Sequence, residues 1–163
     1  MDNWTWGLSL IALTIAIHVT AVGFVVSALH NIRLRLEARR LGLQSLLAIV
    51  IGAVTAMGLL LAALHLIEAA FWAAAYLWIG AVGSPQAAML YSVDSMATRG
   101  ASGIVLQTHW QMMGALEAFD GMLLFGISTA LIFTVLQLYY QHLLFRAQRD
   151  GSAGEDQVRV PAD

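Results

Sequence analysis

Three long apolar segments constrain the fold of this 163-residue chain more than any other feature of its sequence. They cover about residues 6–29, 43–80 and 109–145, and the first contains no charged residue. Each is long enough to cross a hydrocarbon layer of about 30 Å, since an α-helix rises about 1.5 Å per residue. Hydrophobic residues make up 60% of the chain and charged residues 11%, which excludes an ordinary soluble domain. We predict an all-α membrane protein with three transmembrane helices.

The positions of the arginines predict an orientation in the membrane. The chain has no lysine, and all arginines except Arg99 lie between the first two apolar segments or after the third. By the positive-inside rule, these regions face the cytoplasm and the N-terminus faces the outside of the cell membrane. We divide the chain into a peripheral first helix with a cytoplasmic loop, residues 1–42, a central unit, residues 43–145, and a disordered cytoplasmic tail, residues 146–163. The arginines predicted to be cytoplasmic are Arg33, Arg35, Arg39, Arg40, Arg146, Arg149 and Arg159.

A short segment on the predicted outer side differs from the apolar helices that flank it. Ser84 suits a helix N-cap and Pro85 the first helical position, so residues 85–97 are predicted to form a helix of about three turns. A loop of mostly small residues follows and contains Arg99. Non-helical backbone at membrane depth is tolerated only where protein buries it or where it lines a water-filled path. We predict a re-entrant helix whose negative C-terminal end points into the membrane and favours a cation.

The sequence of this segment resembles a known family. Tyr91-Ser-Val-Asp-Ser-Met-Ala-Thr-Arg-Gly-Ala-Ser-Gly-Ile104 resembles the pore helix and selectivity filter of potassium channels, whose pattern ends T-T-V-G-Y-G-D. The stretch from Gly114 to Ala130 resembles the inner helix of that family. The resemblance covers about residues 43–145, and bacterial channels with two helices and one pore loop are the nearest relatives that it indicates. It implies one re-entrant pore helix and one filter-like loop per subunit.

The filter pattern is only half present. Thr98 matches the filter threonine, Gly100 matches the first glycine, and Asp94 matches an acidic pore-helix position that supports the filter in some members. Arg99 replaces the aliphatic residue, Ala101 the aromatic residue, Ser102 the second glycine and Gly103 the aspartate. A serine in the left-handed backbone of the second glycine would cost about 1–2 kcal/mol. The predicted filter is Thr98, Arg99, Gly100, Ala101, Ser102 and Gly103.

The resemblance implies a homotetramer that conducts ions passively, so neither an enzyme nor a cofactor is predicted. The atypical filter is expected to pass cations, K⁺ among them, with altered selectivity. Two alternatives stay open, namely an anion-selective pore and a channel-like subunit or sensor that does not conduct. The predicted partners are membrane lipid, permeant ions and further copies of the chain, and no nucleic acid is implied.

Two orientations of Arg99 lead to different pores. If its side chain points away from the axis, it lies behind the filter and needs a carboxylate partner, because an unpaired buried charge is very costly. Glu68 and Asp94 are the candidate partners. If it points at the axis, four guanidinium groups converge there and favour anions or closure. We expect the first orientation.

Three other acidic residues lie inside the predicted helices. Glu68 lies about 12 residues, or about 18 Å, from the end of the second helix, at the expected depth of the filter, which it is predicted to support. Glu117 either braces the pore helix or Arg99, or joins a ring of carboxylates. Asp120 is expected in such a ring near the cavity, where it attracts cations. Gly121 matches the inner-helix hinge of the family, and Gly126 weakens the same helix further.

The histidines and one serine suggest other chemistry. His65 and Glu68 have the i, i+3 spacing of half a metal site, but no second half is visible, so no metal site is predicted. His18 is expected to hydrogen-bond to a neighbouring helix. The residues from Gly100 to Gly103 also fit G-x-S-G, which resembles the nucleophile motif of rhomboid intramembrane proteases, with Ser102 as nucleophile and a histidine as base. That fold needs more spans than this chain has, so the hydrolase stays a remote alternative.

Overall fold

The computed structural model describes residues 2–37 and 43–158. Within them the chain is helical, without strands: α1 is Asp2–Glu37, α2 is Leu43–Trp78, α3 is Pro85–Met96 and α4 is Gln111–Val158. A turn of 3-10 helix, Thr108–Trp110, precedes α4. Three stretches are long and apolar enough to span a membrane, namely Asn3–Leu29, Leu47–Trp78 and Thr108–Gln137. The predictions of an all-helical chain and of three candidate spans are confirmed.

The helix ends differ from the predicted boundaries mainly at the C-terminal side. α4 continues to Val158, although a disordered tail was predicted from residue 146. Alanine, glutamine and arginine follow Phe145, and these residues extend an existing helix at little cost. Residues 38–42 and 159–163, with Arg39, Arg40 and Arg159, lie outside the described residues. The predicted orientation therefore stays a prediction.

Local sequence signals start α3 where they were expected. Ser84 has extended backbone, with φ −145° and ψ 149°, and its side chain accepts a hydrogen bond from the N–H of Ala87 at 3.2 Å. Pro85 occupies the first turn, where no N–H is needed. Gly80, with φ +69°, follows the end of α2 and allows the chain to turn back. The chain therefore reverses between α2 and α3 within a few residues.

α3 packs between the C-terminal part of α2 and the N-terminal part of α4. The Ser92 hydroxyl donates to the carbonyl of Ala69 at 2.6 Å, nine residues before the end of α2, or about 13 Å along its axis. At the other end, the backbone of Met96 lies against Gly121, ten residues into α4, or about 15 Å from its start. Residues 97–107 then return from that depth to the beginning of α4.

Two apolar clusters hold the helices together. One includes Trp72, Tyr76 and Met113 and joins α1, α2, α3 and α4, while the other includes Leu61 and Leu131 and joins α2 to α4. α1 packs chiefly against α4. Large apolar side chains elsewhere face outward, as expected of surfaces that contact lipid. Examples are Phe24, Leu59, Phe125 and Phe133.

Candidate functional site

The segment after α3 is non-helical backbone with its outer side exposed. Thr98, Gly100 and Gly103 have positive φ angles of 54°, 61° and 71°. Residues 97–101 and Gly103 are exposed in the single chain. Ser102 is not among the positive-φ residues, so the strain that the resemblance predicts for it is absent, because the next glycine takes the left-handed conformation instead. The loop thus has left-handed positions, at a register different from the expected one.

Asp94 organises this loop from the end of α3. One carboxylate oxygen accepts from the backbone N–H groups of Ala101 at 2.8 Å and Ser102 at 2.9 Å. The other accepts from Nε of Arg99 at 2.7 Å. The Arg99 guanidinium and these two N–H groups hold the pKa of Asp94 below its ordinary value. Of the two carboxylates considered as partners of Arg99, the structure pairs the arginine with Asp94, and the Arg99 side chain remains 64% exposed.

The hydrogen bonds to Asp94 also set the direction of two carbonyl groups. All described peptide bonds are trans, so each N–H points opposite to the C=O of the preceding residue. Because the N–H groups of Ala101 and Ser102 both point at Asp94, the carbonyls of Gly100 and Ala101 both point away from it. Two successive carbonyl oxygens therefore lie on the side of the loop that faces away from α3.

The contacts of Ser102 do not match the alternative role of a nucleophile. The hydroxyl of Ser102 accepts a hydrogen bond from the N–H of Ile104 at 3.4 Å, and no described imidazole hydrogen-bonds to it. A histidine base, which nucleophilic attack by Ser102 would need, is thus not in place among the described residues.

Glu117 braces α3 against α2 and α4. Its fully buried carboxyl group accepts from the hydroxyl of Tyr76 at 2.8 Å and is also hydrogen-bonded to the hydroxyl of Ser92. Tyr76 in turn stands edge-on to Tyr91, with ring centroids 5.3 Å apart. The first of the two roles considered for Glu117, bracing the pore-helix segment, matches these contacts.

Asp120 does not lie where a cavity ring would place it. Its carboxylate is fully buried and accepts from Thr14 Oγ1 at 2.7 Å and Trp72 Nε1 at 2.9 Å, so it faces α1 and α2. Its second oxygen, Oδ1, is buried without a hydrogen-bond partner in the described part of the chain. The contacts of Asp120 do not match the predicted carboxylate ring, because donors on α1 and α2 hold its side chain inside the helix bundle.

Glu68 is likewise turned away from the loop that it was predicted to support. One of its oxygens contacts Nδ1 of His18 at 2.8 Å and the other contacts Nδ1 of His65 at 3.1 Å. Ser128 Oγ lies 3.1 Å from Nε2 of His18 and 3.3 Å from Nε2 of His65. The two imidazole rings are stacked, with centroids 5.2 Å apart. His18 is thus hydrogen-bonded to neighbouring helices, as predicted, and it completes a cluster that the sequence showed only in part.

The two glycines of α4 that were predicted to weaken the helix, Gly121 and Gly126, differ in their surroundings. A Cβ atom at Gly121 would lie 2.3 Å from the carbonyl oxygen of Met96, whereas nothing lies within 4 Å of the corresponding point at Gly126. Gly121 is therefore a site of close contact between α4 and the end of α3. A hinge role is not needed to explain this glycine.

Sequence reasoning missed the buried roles of Thr14 and Ser128. A signal was available, because polar residues recur at three- or four-residue spacing within otherwise apolar spans, and such residues share one helix face. The spacing did not show which helix faces pack against each other. The polar positions that share the buried face are Thr14 and His18 on α1, His65, Glu68, Trp72 and Tyr76 on α2, and Glu117, Asp120 and Ser128 on α4.

Comparison of the chain with protein-family models, with curated proteins and with solved structures finds no match.

Proposed function

We propose that this chain is the subunit of an oligomeric pore-loop membrane protein that lets ions pass passively, with the loop after α3 lining the ion path. One observation carries the proposal. Exposed, non-helical backbone starts beside Gly121, near the middle of the apolar span Thr108–Gln137 and about 15 Å from the beginning of α4, while a hydrocarbon layer is about 30 Å thick.

Exposed backbone at this depth requires a partner other than lipid. An unsatisfied peptide group costs several kcal/mol in hydrocarbon, so such a segment must be covered by protein or face water. Within one chain, residues 97–101 and Gly103 of the loop remain exposed. Copies of the chain arranged around the loops would cover these residues and enclose water between them, and the resemblance to potassium channels favours four copies.

The charges around the loop favour cations. Arg99 and Asp94 form an ion pair on the α3 side, so the net charge of this pair is zero. The carbonyls of Gly100 and Ala101 point away from Asp94, and the negative end of the α3 dipole points toward the loop. Carbonyl oxygens and a helix C-terminus both attract cations. Because Ala101 stands where potassium channels have an aromatic residue, we expect weak discrimination between K⁺ and Na⁺.

The first experiment measures the reversal potential of the reconstituted protein in a planar bilayer under a KCl gradient. We expect reversal near the potassium equilibrium potential for the wild type and for Arg99→Ala. The control, Gln107→Ala, changes an exposed side chain at the end of the same loop. A reversal near the chloride potential that is lost in Arg99→Ala would contradict the cation path, and a wild type without conductance would contradict the pore.

The second experiment tests the assembly. The chain has no cysteine, so one introduced cysteine per subunit reports on its own position. Val105, 82% exposed, lies on the returning loop, whereas Phe24, 73% exposed, lies on α1. Mild oxidation should cross-link subunits through Val105→Cys and not through Phe24→Cys. The opposite pattern would place the subunit contact away from the loop.

A further inference from the structure

We propose that His18, His65 and Glu68 form a binding site for one divalent first-row transition-metal ion, with Zn²⁺ as the favoured occupant, inside each subunit. This site is separate from the loop and from the proposed ion path. The sequence offered only His65 and Glu68 on α2, and α1 supplies the missing ligand, His18. The proposal does not depend on ion conduction.

The positions of the ligand atoms suit a single ion. One ligand atom from each of the three residues lies within 4.8 Å of the other two. The two contacts between carboxylate oxygen and Nδ1 are 2.8 and 3.1 Å. Ligand atoms that bind one tetrahedral Zn²⁺ at about 2.0–2.2 Å lie about 3.3–3.6 Å from one another. The two carboxylate oxygens and their Nδ1 partners are closer together than this, so the side chains must separate by a few tenths of an ångström to admit an ion between them.

A count of hydrogens shows that the cluster is one hydrogen-bond donor short when both imidazoles are neutral. If both imidazoles are neutral and donate from Nδ1 to Glu68, both Nε2 atoms need a donor. Among the described residues, Ser128 is the hydrogen-bond partner of both Nε2 atoms, and its hydroxyl has one hydrogen, so one Nε2 receives no hydrogen from it. A metal ion on Nδ1 removes this conflict. Each ring then carries its hydrogen on Nε2, and the two lone pairs of Ser128 Oγ accept both.

Ser128 thereby acts as a positioning residue for the proposed site. Metal-bound histidines almost always donate their second N–H to an oxygen, which fixes the tautomer and the ring orientation. Here one hydroxyl on α4 serves a ring from α1 and a ring from α2, at 3.1 and 3.3 Å. His18, Glu68 and Ser128 are buried, which protects the cluster from water.

The balance of buried charge also favours a divalent ion. Glu68 is fully buried, and Asp120 is fully buried one helical turn away, because its partners Thr14 and Trp72 are four residues from His18 and Glu68. The Oδ1 atom of Asp120 has no partner in the described residues. A divalent ion bound by Glu68 and the two imidazoles would offset the charge of Glu68 and leave a positive charge close to the buried carboxyl group of Asp120.

The donor set indicates the class of metal. Two imidazoles and one carboxylate, without a thiolate, suit Zn²⁺ and other divalent ions from iron to zinc, and do not suit Ca²⁺ or Mg²⁺, which prefer oxygen ligands. Three protein ligands leave a coordination position for water.

The test is metal binding by the full-length chain, purified in detergent and stripped with a chelator. Titration with Co²⁺, a spectroscopic substitute for Zn²⁺, should give visible absorption bands that saturate at about one ion per chain, and Zn²⁺ should abolish them. We expect no bands in His18→Gln, His65→Gln and Glu68→Gln. Ser128→Ala keeps the three ligands and should bind at least about 10-fold more weakly. His109→Gln, which removes an exposed histidine, should bind like the wild type.

Several outcomes would overturn the proposal. These are a correctly folded wild type that binds no Co²⁺ or Zn²⁺, binding that survives loss of His18 or Glu68, and binding that His109→Gln abolishes. Circular dichroism and size-exclusion profiles identify variants that fail to fold, and for those the Ser128→Ala affinity decides. A wild type whose ¹⁵N spectrum shows a doubly protonated imidazole that keeps its proton when Co²⁺ or Zn²⁺ is added in excess would assign the cluster to a bound proton and reject the metal.

Discussion

The carboxylate at the end of α3 and the carboxylates inside the bundle are satisfied in different ways. Asp94 takes its partners from Arg99, Ala101 and Ser102, all within eight residues along the chain. Glu68 and Asp120 take partners from other helices, the farthest 106 residues away, and Glu68 also contacts His65 on its own helix. Local partners shape one loop, whereas distant partners join whole helices. The loop and the bundle should therefore respond differently to mutation.

The largest effect is expected inside the bundle, from Glu117→Ala. The substitution removes a buried side chain, leaves the hydroxyl group of Tyr76 without its acceptor and breaks the hydrogen bond between the Glu117 carboxyl group and Ser92. We expect a loss of about 3 kcal/mol in the free energy of unfolding, measured by denaturation in detergent. Glu117→Gln keeps an oxygen acceptor and should cost less than half as much. Equal losses in the two variants would show that the hydrogen bonds contribute little.

A smaller effect is expected where the bundle meets the end of α3. Gly121→Ala places a methyl group 2.3 Å from the backbone of Met96, and we expect a loss of about 1–3 kcal/mol in the free energy of unfolding. Gly126→Ala is the matched control, since nothing lies near it, and it should be neutral or stabilise α4 by up to about 1 kcal/mol. If both substitutions were neutral and both altered gating, Gly121 would be a hinge instead of a packing contact.

Asp94→Ala tests whether the hydrogen bonds of Asp94 stabilise only the loop. Without the carboxylate, the N–H groups of Ala101 and Ser102 lose their acceptor, so their hydrogen exchange should accelerate at least about 10-fold. The midpoint of global unfolding should move much less than in Glu117→Ala, because the contacts of Asp94 are local. A global loss as large as that of Glu117→Ala would show that the loop and the bundle unfold as one unit.

The smallest effect is expected from acid. The pKa of Asp94 is lowered by Arg99 and by the two N–H groups, so its contribution is complete above the ordinary aspartate pKa, about 4, and is lost as the pH falls through the lowered value. Amide exchange in the loop, corrected for its intrinsic pH dependence, should rise only at the acid end of a titration. Asp94→Asn should show no such step, and a step near neutral pH would exclude Asp94 as its cause.

The sequence predicted the features that depend on neighbouring residues. The three apolar spans, the Ser84 cap with Pro85, and the position of Asp94 beside the loop follow from length, local hydrogen bonding and helix propensity. The partners of Glu68 and Asp120 could not be predicted, because helical spacing gives the face of a helix and not the helix that it meets. The prediction placed Glu68 beside the filter loop and Asp120 near a cavity, whereas donors on α1 and α2 hold Asp120 and histidines on the same helices hold Glu68.

The long separation between α1 and its partners has a consequence for biosynthesis. Thr14 and His18 leave the ribosome more than 100 residues before Asp120 and Ser128, a delay on the order of 10 s at about 5–20 residues per second. During this interval the nascent first helix holds its polar groups in the bilayer without their final hydrogen bonds. The mean hydropathy of this span is 2.2, which is high enough to hold the helix in a bilayer before these hydrogen bonds form. Synthesis of α4 therefore determines when the chain can form the hydrogen bonds between α1 and α4.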